Sequence, residues 1–237
     1  MNPCAPVTRA LDIVVPIRNE VDSIDEFHAR VERLGLADAL IFVDNASTDG
    51  TLERLAACPR VRVIRHATDE GWGASMRDGI AASDGELIVI IDADLEYPPE
   101  AIPRLLEALR EHPVVYCSRF RGARPPDMPL FRRLGNAWLS RLYNVLFHQH
   151  VTDFATGMKG LRRGALPLER LRRKGFEHGA EIAALVALSG HRIEEIAVEY
   201  APRRRGRSKM RHLRETMKVV CYLLWYRLRG RVGGMSS

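Results

Sequence analysis

The aliphatic run Leu87–Ile91 ends abruptly in Asp92, Ala93 and Asp94, with Glu96 two positions further on. Two carboxylates two residues apart on a turning backbone can share a hard divalent cation, and Glu96 offers a third oxygen. Mg²⁺ or Mn²⁺ suits such an all-oxygen set and commonly completes its shell with substrate phosphates. A metal there would neutralise a diphosphate leaving group, stabilising charge where it develops. An Asp-x-Asp pair also arises by chance, and a strand-ending Asp can simply cap the next loop. The elements that carry the acids decide between these readings.

Those elements alternate. Leu11–Pro16, Leu40–Val43, Val61–Arg65, Glu86–Ile91 and Val114–Ser118 are short runs rich in β-branched or aliphatic residues, the composition of buried strands. Between them, Asp22–Leu34, Thr51–Ala57, Gly73–Ser83 and Pro99–Glu111 carry helix signals, with Thr48 or Asp49 placed to cap the second. Strands separated by helices of this length predict right-handed crossovers, hence an α/β fold with an open, mostly parallel sheet flanked by helices. Ligands of such sheets bind at the carboxyl ends of the strands. Strand one ends there in Pro16, Ile17, Arg18, Asn19 and Glu20, strand two in Asp44 and Asn45, and strand four in the acidic trio. Three strands thus deliver polar groups to one rim.

After residue 118 the rhythm changes. Helices are predicted over Leu130–Phe147, Gly175–Gly190 and from about Met210 to Arg229, with a strand at Ile193–Tyr200 and a basic loop, RRRGRSK, at 203–209. Without repeats or a low-complexity linker, residues 1–210 read as one domain. Its halves are 1–118 and 119–210, followed by a C-terminal amphipathic helix and tail at 211–237.

With 46% hydrophobic residues, the 237-residue chain can bury a core of ordinary size. Its charge is unevenly placed: residues 1–118 hold 11 Lys and Arg against 21 Asp and Glu, and residues 119–237 hold 25 against 9. An acidic half suits a cation, and a basic half faces something anionic: nucleic acid, a phosphorylated ligand or a lipid surface. The four cysteines have neither pairing nor zinc-ligand spacing and read as reduced cytosolic thiols. No leader pattern opens the chain, and the apolar stretch Val219–Tyr226 falls well short of the about 20 residues of a membrane span. A cytoplasmic protein is expected. No Gly-x-Gly-x-x-Gly follows strand one and no P-loop is present, which disfavours dinucleotide and P-loop ATPase sites.

The segments VVPIRNE (14–20), FVDNASTDGT (42–51), DEGWGASMRDGI (69–80), IDADLEYPPE (91–100), SRF (118–120), DFATGMKGLRR (153–163) and RRRGRSK (203–209) occur in this order. Together they resemble family 2 glycosyltransferases of the GT-A fold, in the branch of polyprenyl-phosphate (dolichyl-phosphate-type) mannosyl- and glucosyltransferases. The resemblance covers roughly residues 11–210. It implies that Pro16, Arg18, Glu20 and Asp44 line the nucleoside pocket, with the base read by contacts near Arg18 and Phe42. It sets Asp92 and Ala93 along the ribose and diphosphate, and Asp94 and Glu96 on a Mg²⁺ or Mn²⁺ ion, with Asp92 beside them. Arg119, Arg203 and Lys209 would meet the diphosphate or the acceptor phosphate. The chain departs from the family pattern at Arg18, where an aromatic is usual, and at Glu96, where glutamine is frequent.

A sugar hydroxyl needs a carboxylate to deprotonate it; a lipid phosphate is already an anion and needs positive charge. Arg132 or Arg133, Lys159, Arg203 and Lys209 are the candidates for a phosphate clamp. The expectation is therefore an inverting transfer of a hexose from GDP-mannose or UDP-glucose to a polyprenyl phosphate at the cytoplasmic membrane face. Leu130–Phe147 and the tail helix, with its stripe of Leu213, Met217, Val220, Cys221, Leu224 and Leu228, would meet the membrane. Alternatively, the tail packs on the domain's own core, or joins a membrane partner or a second copy. One rival reading is a transferase acting on a saccharide or small-molecule hydroxyl, with Asp153 or Glu181 as base. The other is a basic nucleic-acid-binding or adaptor module, disfavoured because it leaves the acidic rim unexplained. No nucleic-acid partner is expected.

Overall fold

The structure, a computed structural model, describes residues 10–122, 128–201 and 212–233. Arg203 and Lys209, expected on the phosphates, lie outside the described residues. The strands are β1 (Leu11–Ile17), β2 (Leu40–Asn45), β3 (Arg62–His66), β4 (Leu87–Ile90), β5 (Val114–Ser118), β6 (Lys159–Arg162) and β7 (Glu194–Ala197). The helices are α1 (Ile24–Arg33), α2 (Thr51–Ala57), α3 (Trp72–Ala81), α4 (Ile102–Ala108), α5 (Leu130–Phe147), α6 (His178–Leu188) and α7 (His212–Gly233). The strands form one sheet in the order β3-β2-β1-β4-β6-β5-β7.

Every pairing is parallel except those of β6, which runs antiparallel to both β4 and β5. β6 is a strand that the sequence pattern does not announce. It is four residues long with a glycine inside, and that glycine is required by packing: a Cβ at Gly160 would lie 2.7 Å from Leu109 Cδ1 and 3.2 Å from Leu105 Cγ. Because β6 runs backwards, its first residue, Lys159, pairs with Ile90 at the carboxyl end of β4. A basic side chain thereby reaches the rim that the parallel strands supply with acids.

Helices cover both faces of the sheet, so the strands read as continuous apolar runs rather than alternating ones. Alternate residues still part company. Ile13, Val15 and Ile17 of β1 and Leu40 and Phe42 of β2 join the layer of α1 and α4, while Val14, Ile41 and Val43 face α3, α5, α6 and α7. This parity corrects the role expected of Phe42. Its side chain is fully buried under α1, with its ring edge-on to Phe27 at a centroid distance of 6.1 Å, and it does not line a nucleoside pocket.

α7 packs on α6 and α5 through Leu223 and Tyr226, both in the core. The stripe expected to bind something is a different one. Met217, Cys221, Leu224 and Leu228 are exposed on the far side of the helix. Among the described residues no helix is long and apolar enough to cross a membrane.

Candidate active site

The carboxyl-terminal rim is built from the loops that follow β1, β2 and β4. Each holds a non-glycine residue in the left-handed region: Asn19 (φ 52°), Ala46 (φ 57°) and Leu95 (φ 62°). Such conformations cost of order 1 kcal/mol or more and persist only where surrounding structure imposes them, which is typical of functional loops. The β1 and β2 loops brace each other. Asn19 N–H donates to Ser47 Oγ at 2.9 Å, Thr48 N–H to Asn19 Oδ1 at 2.8 Å, and Glu20 N–H to Thr51 Oγ1 at 2.9 Å.

Of the residues expected around a nucleoside, Pro16 is buried within β1, and Arg18 and Glu20 are half-buried on the loop beyond it. Asp44 is fully covered and accepts the Ser47 amide at 3.3 Å, so in this structure its carboxylate caps the β2 loop. Arg18 pairs with Asp69. Asp69 also accepts Asn45 Nδ2–H at 2.7 Å and the Gly71 amide at 3.0 Å. Burial works against the Asp69 carboxylate, but the bonds from Asn45, Gly71 and Arg18 outweigh it and hold its pKa below the ordinary value. Asn45 was expected on this rim at the end of strand two, whereas Asp69 was not singled out from sequence, although it stands inside the quoted DEGWGASMRDGI segment.

Asp92 and Asp94 do lie together. Burial first, then the neighbouring Asp94 charge, push the Asp92 carboxyl well up, while Lys159 pulls it down. Lys159 is itself buried, which lowers its ammonium to about 8 against the pull of Asp92 and Asp153. Ala93, between the two acids, is 2% exposed and packs into the core. Glu96, the third expected ligand, is near enough for its charge also to raise the Asp92 carboxyl, and its backbone is held in place. The left-handed Leu95 turns the chain, Asp94 accepts the Glu96 amide at 3.1 Å, and the Glu96 carbonyl is tied to Ala201 N–H at 3.1 Å beyond β7. Among the described residues no three His, Cys, Asp or Glu side chains gather as a metal-binding group. An ion here would rest on Asp92 and Asp94, and that fits a Mg²⁺ or Mn²⁺ site in which phosphates supply the remaining oxygens.

The Asp92 carboxylate is held from two further sides. Trp72 Nε1–H donates to Asp92 Oδ1 at 3.3 Å, and a Cβ at Gly157 would lie 2.7 Å from Asp92 Oδ2. Trp72 begins α3 and stacks on Phe176 at 5.9 Å. Phe176 belongs to a strap, residues 171–177, pressed on the start of α3: the Gly73 amide donates to the Lys174 carbonyl at 2.7 Å. Only glycine fits there, since a Cβ at Gly73 would sit 2.6 Å from the Gly175 carbonyl oxygen. The spacing of the two glycines in GWG was the available signal for Trp72.

Two further expected residues turn out to be occupied. Arg119, after β5, is bonded to Asp153 by its Nε at 2.7 Å, its Nη2 at 2.8 Å and its backbone amide at 3.0 Å. Asp153 is fully buried, and Tyr97, Phe120 and Tyr200 surround the guanidinium at 5.5 to 5.8 Å. This is a strut tying the end of β5 to the segment before β6; it engages both Asp153 oxygens with Arg119 and leaves Arg119 little freedom to move. Glu181, also fully buried, accepts the Arg172 and Arg173 amides at 2.9 Å each, the Tyr226 hydroxyl at 2.6 Å and faces His178 Nδ1 at 3.1 Å. It anchors the strap to α7. Neither expected base is placed as one. Arg132 and Arg133 lie in the first turn of α5, between the exposed Leu130, Phe131 and Leu134.

The chain is 30% identical over 210 residues to the undecaprenyl-phosphate mannosyltransferase of Micrococcus luteus, covering 83% of this chain and 86% of that one. It is 28% identical over 211 residues to the dolichol-phosphate mannosyltransferase of Pyrococcus furiosus, covering 85% of this chain but only 59% of that longer protein. The glucosyl-3-phosphoglycerate synthase of Mycobacterium tuberculosis, crystallised with Mn²⁺, UDP and glucosyl-3-phosphoglycerate, superposes with a TM-score of 0.68 at 22% identity. That likeness covers 92% of this chain and 80% of the synthase, and establishes the shared fold. The family model for glycosyl transferase family 2 matches residues 12–167, from the start of β1 past the end of β6, and the chain belongs to that family.

Proposed function

We propose that this protein transfers a hexose, with inversion, from a nucleotide sugar to a polyprenyl phosphate at the cytoplasmic face of a membrane. The observation that carries the reading is the occupancy of the two candidate bases. Asp153 is bonded to Arg119 and Glu181 to the strap and Tyr226. A hydroxyl acceptor must lose a proton to such a group; a phosphate monoester arrives ionised, its second pKa being about 6. The relatives named for polyprenyl-phosphate acceptors support the same choice.

In this reading an acceptor phosphate oxygen attacks the anomeric carbon. The new carbon–oxygen bond forms as the bond to the donor diphosphate breaks, and its electron pair leaves with the nucleoside diphosphate. No proton changes hands. Asp92 and Asp94 would hold a Mg²⁺ or Mn²⁺ ion, which supplies positive charge to the departing diphosphate. Lys159, at the start of β6 beside Asp92, adds a second cation to the rim, and Trp72 and Gly157 fix the Asp92 carboxylate. Arg18 and Glu20, on the loop after β1, border the donor's nucleoside end. Arg132 and Arg133, with Arg203 and Lys209, receive the acceptor phosphate.

The test is nucleoside diphosphate release from a panel of nucleotide sugars with Mn²⁺ and a short polyprenyl phosphate. Release that requires the lipid phosphate and disappears in Asp94→Asn is expected. Equal release with a hydroxyl acceptor in place of the lipid phosphate would overturn the reading.

A further inference from the structure

Nine large apolar side chains remain exposed among the described residues, and eight of them lie on two helices that pack against each other, α5 and α7. On α5 these are Leu130, Phe131, Leu134, Trp138 and Val145, each 53 to 67% exposed. From Phe131 to Val145 they recur at intervals of three, four and seven residues, a stripe along one side of the helix. The opposite side of α5 is already in the core through Leu139, Tyr143 and Phe147. Packing within the domain therefore does not account for the outer stripe. On α7, Met217, Leu224 and Leu228 repeat the pattern opposite the buried Leu223 and Tyr226.

The charge around these stripes has one sign. α5 contains Arg132, Arg133 and Arg141 and no acidic residue. Over residues 214–229, α7 carries Arg214, Lys218, Arg227 and Arg229 against a single acid, Glu215, which is paired with Lys218 at 3.0 Å. Arg229 lies over the Trp225 ring at 4.5 Å. Apolar side chains that want to leave water, rimmed by cations with long aliphatic stems and by tryptophan, match a lipid headgroup boundary carrying negative charge. A second copy using the same face would bring the two sets of cations together, which self-association disfavours.

We infer that the outer faces of α5 and α7 form a docking surface for an anionic membrane. This face lies on the bilayer surface, with the apolar stripes in the headgroup layer and the arginines on lipid phosphates. The biological purpose of this surface rests on the polyprenyl-phosphate reading; its physical basis does not.

The experiment is vesicle flotation of the full chain with no polyprenyl phosphate and no donor present, so that it is blind to the acceptor. Vesicles of phosphatidylcholine with 30% phosphatidylglycerol are compared with pure phosphatidylcholine, at about 0.1 M and 1 M salt, between which the Debye length falls from roughly 10 to 3 Å. Flotation with the anionic vesicles, at least tenfold stronger than with the neutral ones and weakened by salt, is expected. Trp138→Glu and Leu228→Glu, both at exposed positions, should each lower it tenfold or more while leaving thermal unfolding and Mn²⁺–nucleotide binding unchanged. Failure of the wild-type chain to float, equal flotation with neutral vesicles, or wild-type flotation of both variants would overturn the inference. So would a concentration-dependent dimer in sedimentation that Trp138→Glu dissolves. Flotation without lipid-phosphate-dependent turnover would leave the surface standing and remove only the acceptor assignment.

Discussion

Replacing Asp153 by asparagine separates a base from a strut. Asp153 is fully buried and takes three bonds from Arg119, at 2.7, 2.8 and 3.0 Å, so Asp153→Asn leaves a buried guanidinium without its counter-charge. Breaking a buried pair by removing one partner costs about 3–5 kcal/mol. For a chain of this size each kcal/mol lowers the melting temperature by roughly 2–4 °C, so the expected fall is about 6–20 °C. Removing the orphaned charge as well, as Arg119→Leu on the Asp153→Asn background, should return part of that loss, because an apolar pair carries no desolvation penalty. The assay is thermal unfolding by circular dichroism, beside turnover measured well below both transitions with lipid-phosphate and hydroxyl acceptors. A base would behave in the opposite way. An unchanged melting temperature together with a hydroxyl-acceptor turnover lowered by about 100-fold or more would refute the strut and restore Asp153 as a proton acceptor.

Three further outcomes are expected. Gly157→Ala places a methyl group 2.7 Å from Asp92 Oδ2 and 2.9 Å from the Tyr97 ring. Overpacking of about 1–3 kcal/mol should weaken Mn²⁺–nucleotide binding roughly tenfold in calorimetry, and unchanged binding would mean that Asp92 does not face the donor. Trp72→Phe keeps the stack on Phe176 but loses the indole N–H that meets Asp92 at 3.3 Å; a loss of about 1 kcal/mol, roughly fivefold in nucleotide affinity, is expected with little change in melting temperature. Burial pushes the Glu181 carboxyl up, yet bonds from His178, Tyr226, Arg173 and Arg172 outweigh it and hold its pKa below the ordinary value. Its contribution to stability is therefore complete above the unfolded value of about 4.3 and fades as pH falls through the lower folded value. Melting temperatures between pH 3 and 6 should show a steep acid limb that Glu181→Gln flattens.

The parts of this molecule that were legible in the sequence are those fixed by local pattern. LIFV and LIVII are apolar enough to be buried on both faces, helical stretches separate them, and the rule that parallel sheets bind ligands at their carboxyl ends then brings the loops after β1, β2 and β4 together. What was not legible depends on which face or which neighbour a residue meets. The side of the sheet on which Phe42 emerges is set by where α1 lands. Lys159 reaches the rim only because β6 runs backwards between β4 and β5, and nothing in KGLR announces a strand. Charged residues are the sharpest case. Asp153 and Glu181 stand in suggestive segments, as Asp92 and Asp94 do, and composition treats all four alike. Distance separates them. Arg119, 34 residues before Asp153, and Tyr226, 45 residues after Glu181, answer two of the charges inside the fold. The other two lie close enough that the Asp94 charge raises the Asp92 carboxyl while the buried Lys159 pulls it down, and like charges brought together at a strand end are what mark this rim, rather than Asp153 or Glu181, as the candidate site.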